Sequence, residues 1–143
     1  MNIWNYKFLI IPIIAWATVQ IFKFLADAMV NKKINFKRLV ETGGMPSSHS
    51  ATVTSLMMAV GMSEGFSSPI FAIAFVFSVI VMYDAAGVRR AAGKQASILN
   101  QLINSKQVQV DTNEKLKELL GHTPFQVIVG GIYGAIVGVL VML

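Results

Sequence analysis

The chain contains no cysteine, which removes a thiolate nucleophile, a disulfide and a Cys-ligated metal from consideration. Any chemistry falls to His, Ser, Asp, Glu, Lys and Arg. There are two histidines, His49 and His122, and each stands beside a helix-start signal. His49 closes the run Gly43-Gly44-Met45-Pro46-Ser47-Ser48-His49. Its two glycines allow close backbone approach, and the helix start after them offers free N–H groups and a positive dipole end to an anion. His122 lies one residue before Thr123-Pro124, a second helix start. Asp84, Arg89, Arg90 and Lys94 form one further polar cluster, and Lys23 with Asp27 another. Several cations, two histidines and two helix N-termini have the composition of a phosphate site.

Simpler readings stand beside that one. Ser47 or Ser48 reads as a plain N-cap, and the cap and phosphate readings are compatible. His122 alone reads as a loop histidine, and Arg89, Arg90 and Lys94 as juxtamembrane anchors. Arg90 and Lys94 share a helix face at i, i+4, where like charges repel unless an anion sits between them. Lys23 and Asp27 have the spacing of an ion pair. Thr123 and Gln126 have capping-box spacing, with Pro124 at the first helical position. Gly130, Gly134 and Gly138, like Ala51, Ser55 and Ala59, repeat as small-xxx-small, which signals close helix packing. Such faces also offer a route to a homo-oligomer.

The elements that position these residues follow from the uncharged runs: Phe8 to Phe22, Thr42 to Ser63, Gly65 to Tyr83 and Leu119 to Leu143. Each is long enough for most of a bilayer crossing. Four transmembrane helices are predicted: about Tyr6 to Met29, from after Pro46 to near Met62, Pro69 through Tyr83 and Asp84, and from Thr123-Pro124 onward. The second is short: about 16 residues at 1.5 Å each span about 24 Å, less than the roughly 30 Å hydrocarbon core. Its PSSHS end is therefore expected below the headgroups. The third helix is expected to continue as an interfacial helix toward Asn104, and Asp111 to Leu120 reads as a short surface helix stopped by Gly121. Four antiparallel crossings gather the end of the first span, the start of the second, the end of the third and the start of the fourth on one face. Both histidines fall there.

The 143 residues are 55% hydrophobic and 13% charged, against about 25% charged in a typical soluble domain. The fold class is thus all-α, an integral-membrane helical bundle with about four transmembrane helices and a short interfacial helix, forming a single membrane domain over residues 1–143. A net charge of +5 and a pI near 9.7, without basic repeats interleaved with aromatics, point to anionic lipid headgroups or phosphate and away from nucleic acid. Ten of the twelve basic residues lie between Ala28 and Met45 or between Gly87 and Gly121. The positive-inside rule makes that side cytoplasmic in a multi-pass protein of the cell membrane, with both termini outside.

At GGMPSSHSA, YDAAGVRRAAGKQ (83 to 95) and GHTPFQV (121 to 127), the chain resembles the divergent branch of the type 2 phosphatidic acid phosphatase superfamily, which is related to vanadium-dependent haloperoxidases. The resemblance implies a lipid phosphate phosphatase working without metal or cofactor on a phospholipid or isoprenoid phosphate or diphosphate. By it, Pro46, Ser47 and His49 match a P-S-G-H motif, with Ser48 in place of its glycine, and His49 is the general acid. His122 matches the nucleophile that forms a phosphohistidine. Arg89 or Arg90 matches an arginine that precedes that histidine, here separated by an insertion of about thirty residues. Gly44, Ser47, Ser48, Arg89, Arg90 and Lys94 hold the phosphate, with Lys23 or Lys33 as its lysine, since the usual K-x6-R-P motif is missing. The acidic partner's position falls on Gln126, which leaves Asp84 or Glu118 to take that role in space. The rival reading is a non-catalytic membrane protein that keeps the anion site and binds anionic lipid headgroups.

Overall fold

A computed structural model describes residues 6–32, 34–36, 44–104, 116 and 121–143. Five helices are present among them: α1 (Lys7–Asn31), α2 (Ser48–Glu64), α3 (Pro69–Ala86), α4 (Val88–Asn104) and α5 (Pro124–Met142). Among the described residues, three stretches are long and apolar enough to cross a membrane: Lys7–Asn31, Pro69–Ile103, which runs on from α3 into α4, and Pro124–Met142. With 17 residues, α2 is shorter and carries more hydroxyls. It is nonetheless the centre of the bundle, packed against α1, α3 and most extensively α5. The chain is an all-α membrane helical bundle.

Local chemistry accounts for the helix starts. Ser47 caps α2 by accepting the Ser50 N–H, and Ser68 caps α3 by accepting the Phe71 N–H, each at 3.3 Å. Pro69 and Pro124 occupy first-turn positions, where no amide donor is needed. The expected continuation of the third helix is present as α4, separated from α3 by a break in helical dihedrals at Gly87 (φ −100°, ψ −85°). The surface helix expected over Asp111 to Leu120 lies outside the described residues, apart from Leu116.

The bundle buries many polar side chains beside small apolar ones and presents large apolar side chains outward. In α2, Ser48, Ser50, Thr54 and Ser55 are buried. Their neighbourhood stays satisfied because hydroxyls turn onto backbone carbonyls: Thr54 Oγ1 donates to Ser50 O at 2.8 Å and contacts Gly131 O at 2.9 Å, and Ser55 Oγ donates to Thr52 O at 2.9 Å. From α3, Ser78 Oγ reaches Ala74 O at 2.8 Å and Val53 O at 3.0 Å. The rest of α3 is the reverse case: only Ser78 and Ala85 are buried, while Phe75, Val76, Phe77, Val79 and Ile80 are exposed. Such a surface suits lipid, which makes exposed apolar side chains favourable.

Helices α2 and α5 run parallel, in contact at Ser47 and Gly130, Ala51 and Gly134, and Ser55 and Gly138. Each glycine admits the backbone of α2: a Cβ on Gly134 would collide with Ala51 O and Thr54 Oγ1, and one on Gly138 would stand 2.7 Å from Ser55 O. The small-xxx-small faces thus pack on each other within one chain, as an intramolecular seam. Lys7 Nζ at the start of α1 donates to Ser63 Oγ near the end of α2 at 2.8 Å, which sets α1 antiparallel to α2.

Candidate functional site

Parallel α2 and α5 put two N-termini side by side at the end of the bundle where α3 finishes. Peptide dipoles aligned this way place two partial positive charges next to each other. Two hydrogen bonds fix the junction. Ser47 N–H donates to Gln126 O in the first turn of α5 at 3.1 Å, and His122 N–H donates to Ala85 O at 2.9 Å. Ala85 has a carbonyl to give because the last turn of α3 has no further helical amides to occupy it. Gly121, at φ +85°, takes a backbone conformation that a side chain would disfavour, and so turns the chain into His122.

The histidines, 73 positions apart in sequence, meet here: their ring centroids are 6.2 Å apart with planes inclined at 60°. His122 is 3% exposed, and Nδ1 of both rings is buried. Ser47 and Ser48 are buried next to them. Ser47 Oγ receives both the Ser50 amide and the Ser50 hydroxyl, the latter at 3.0 Å, so it acts as the cap that the sequence left shared between Ser47 and Ser48.

On the α1 side a cavity of about 320 Å³ opens between Lys23, Asp27 and Asn31 and the turn at Gly44 and Met45. Lys23 is 7% exposed and its Nζ is buried. Asp27 Oδ1 accepts from Asn31 Nδ2 at 3.0 Å. Lys23 and Gly44 thus line one space, and neither His49 nor His122 is among the residues that line it. Asp84 is half-buried one residue before Ala85, and Arg90 and Lys94 are exposed on α4. The Arg89 side chain, and Lys33 and Glu118 altogether, lie outside the described residues.

Gln126, on which the resemblance put the acidic partner's position, has its side chain engaged in the helix cap. Thr123 N–H donates to Gln126 Oε1 at 3.0 Å while Gln126 N–H donates to Thr123 Oγ1 at 3.3 Å, completing the capping box. Two contributors to the junction carry no chemical signature in the sequence: the Ala85 carbonyl and the Gly130 surface against Ser47. The glycine spacing pointed to packing, but a backbone carbonyl gives no signal at all.

A family model described as Divergent PAP2 family matches residues 4–137. The chain is also similar to "Uncharacterized membrane protein YuiD" of Bacillus subtilis (strain 168), 41% identical over 127 residues, covering 80% of each chain. No solved structure matches.

Proposed function

Since the chain belongs to the Divergent PAP2 family, we propose that this phosphatase-like, multi-pass membrane protein hydrolyses a lipid phosphate or diphosphate through His122 and His49. The observation that carries the reading is the meeting of the two histidine rings at 6.2 Å beside two helix N-termini. A phosphoryl group bound to or approaching one imidazole, with its leaving oxygen within hydrogen-bond reach of the other, needs a separation of that order. Bringing two parallel helix dipoles together is costly without an anion, and a phosphate at their shared end offsets that cost.

In the first step a nitrogen of neutral His122 attacks phosphorus, an N–P bond forms, and the P–O bond to the lipid breaks. His49 gives its proton to the departing oxygen. In the second step water attacks the phosphohistidine, His49 takes the water's proton, and phosphate leaves as the N–P bond breaks. Lys23 provides positive charge, and the Gly44, Met45 and Ser48 amides provide donors, for the phosphate oxygens. Arg89 stands at the α3–α4 junction as a second cation for that site, with Lys33 a further one. Asp84, beside the carbonyl that holds His122, takes the acidic role. The exposed Arg90 and Lys94 act at the headgroup level. The site faces the cytoplasm by the basic-residue asymmetry.

The capture of Gln126 Oε1 by Thr123 favours the second reading, in which the same pocket binds anionic headgroups without turnover. Purified protein in detergent, offered a panel of lipid phosphates and diphosphates, should release inorganic phosphate, and His122→Ala should not. Retained binding of anionic lipid with no release from any of them would establish the non-catalytic reading.

A further inference from the structure

Helix α4 touches only α3 among the described helices, and its residue pattern divides it into three strips. Gly93, Ala96 and Asn100 are its buried strip. Asn100 holds Leu116 there with two bonds: its Nδ2 donates to Leu116 O at 2.8 Å and its Oδ1 accepts Leu116 N–H at 3.0 Å. About half a turn away, by 3.6 residues per turn, Val88, Ile98, Leu99 and Leu102 form an exposed apolar strip. Arg90 and Lys94 are exposed on the flank between the two. The whole helix contains three cations and no acidic residue.

We propose that α4 lies in the headgroup layer of the membrane, with Ile98, Leu99 and Leu102 dipped among acyl chains and Arg90 and Lys94 held at anionic headgroups. Two features select lipid as the occupant of this face. Exposed apolar side chains follow one another along the chain from α3, which is apolar enough to cross a membrane, past the break at Gly87 to Val88 and on to Ile98, Leu99 and Leu102. The uniformly positive flank complements an anionic surface, where long cationic side chains keep their heads at the interface while their stems cover apolar area. Leu116, bonded to Asn100, is on the other side of the helix. This inference does not depend on the reaction at His122.

The absence of cysteine makes the test direct. Spin labels placed singly by Leu99→Cys and Gln101→Cys, both at exposed positions, are compared in the full-length protein reconstituted into vesicles of phosphatidylcholine with phosphatidylglycerol at three to one. The Leu99 label should be reached preferentially by oxygen and the Gln101 label by a water-soluble nickel chelate. Replacing Arg90 and Lys94 by Gln, or omitting phosphatidylglycerol, should raise nickel access at the Leu99 label several-fold. Equal nickel access at both labels would overturn the proposal, as would depth insensitive to lipid charge and to the double replacement. A Leu99 label shielded from both reagents, with spin–spin broadening lost on dilution by unlabelled protein, would assign the face to a second copy instead.

Discussion

The α2–α5 seam and the α3 surface are both helical and both within reach of the bilayer, yet they are built by opposite rules. The seam is made of glycine, alanine, serine and threonine at near backbone contact, whereas α3 presents Phe, Val and Ile outward with two buried positions. In lipid, apolar bulk gains nothing by being turned inward, so shape and hydrogen bonds decide what packs. The histidines sit at the N-terminal end of the seam, where the bond from Ser47 N–H to Gln126 O joins its two helices.

Substitutions that disturb the seam should therefore dominate. Gly134→Leu places a branched side chain into Ala51 O and Thr54 Oγ1, and overpacking of that kind costs about 1–3 kcal/mol or more. Loss of folded protein in size-exclusion chromatography and a large fall in thermal midpoint are expected. Gly130→Ala meets Ser47 O and N at the junction itself. Besides losing stability it should separate His49 from His122, so that phosphate release falls further than the folded fraction does. Thr54→Val removes the contact with Gly131 O, for which about 0.6 to 1.7 kcal/mol is the range of such bonds between membrane helices. A denaturant titration in detergent would measure it.

On the other side of the comparison, Ile80→Ala on exposed α3 should change stability by no more than about 0.5 kcal/mol. A large loss there would show that this face packs against protein. Gln126→Glu should be smaller still, because a carboxylate at that position can keep the capping box with Thr123 and sits favourably at a helix N-terminus. A few tenths of a kcal/mol gained, with little change in turnover, is the expected result.

The seam was partly legible in the sequence. Glycine at 130, 134 and 138 announced close packing, and uncharged runs with Ser-Pro and Thr-Pro starts located the helices to within a few residues. What the pattern did not reveal was the partner, since Ala51 and Ser55 facing those glycines inside one chain read the same as faces meeting between two. The convergence of His49 and His122 followed from counting crossings. The bond from His122 N–H to Ala85 O did not, because every residue carries an amide and a carbonyl. Gln126 shows a further limit: its spacing fitted both a capping box and a catalytic partner, and only the distance to Thr123 N separates the two.

Everything proposed for the site turns on whether phosphorus becomes bonded to His122. Purified protein given a radiolabelled lipid phosphate, quenched within the turnover time and mapped by peptide analysis should carry label on His122, stable to base and lost in acid. His49→Ala should slow turnover by about 10²- to 10⁴-fold while His122→Ala removes the label altogether. Turnover that persists in His122→Ala, or label found on another residue, would contradict the assignment.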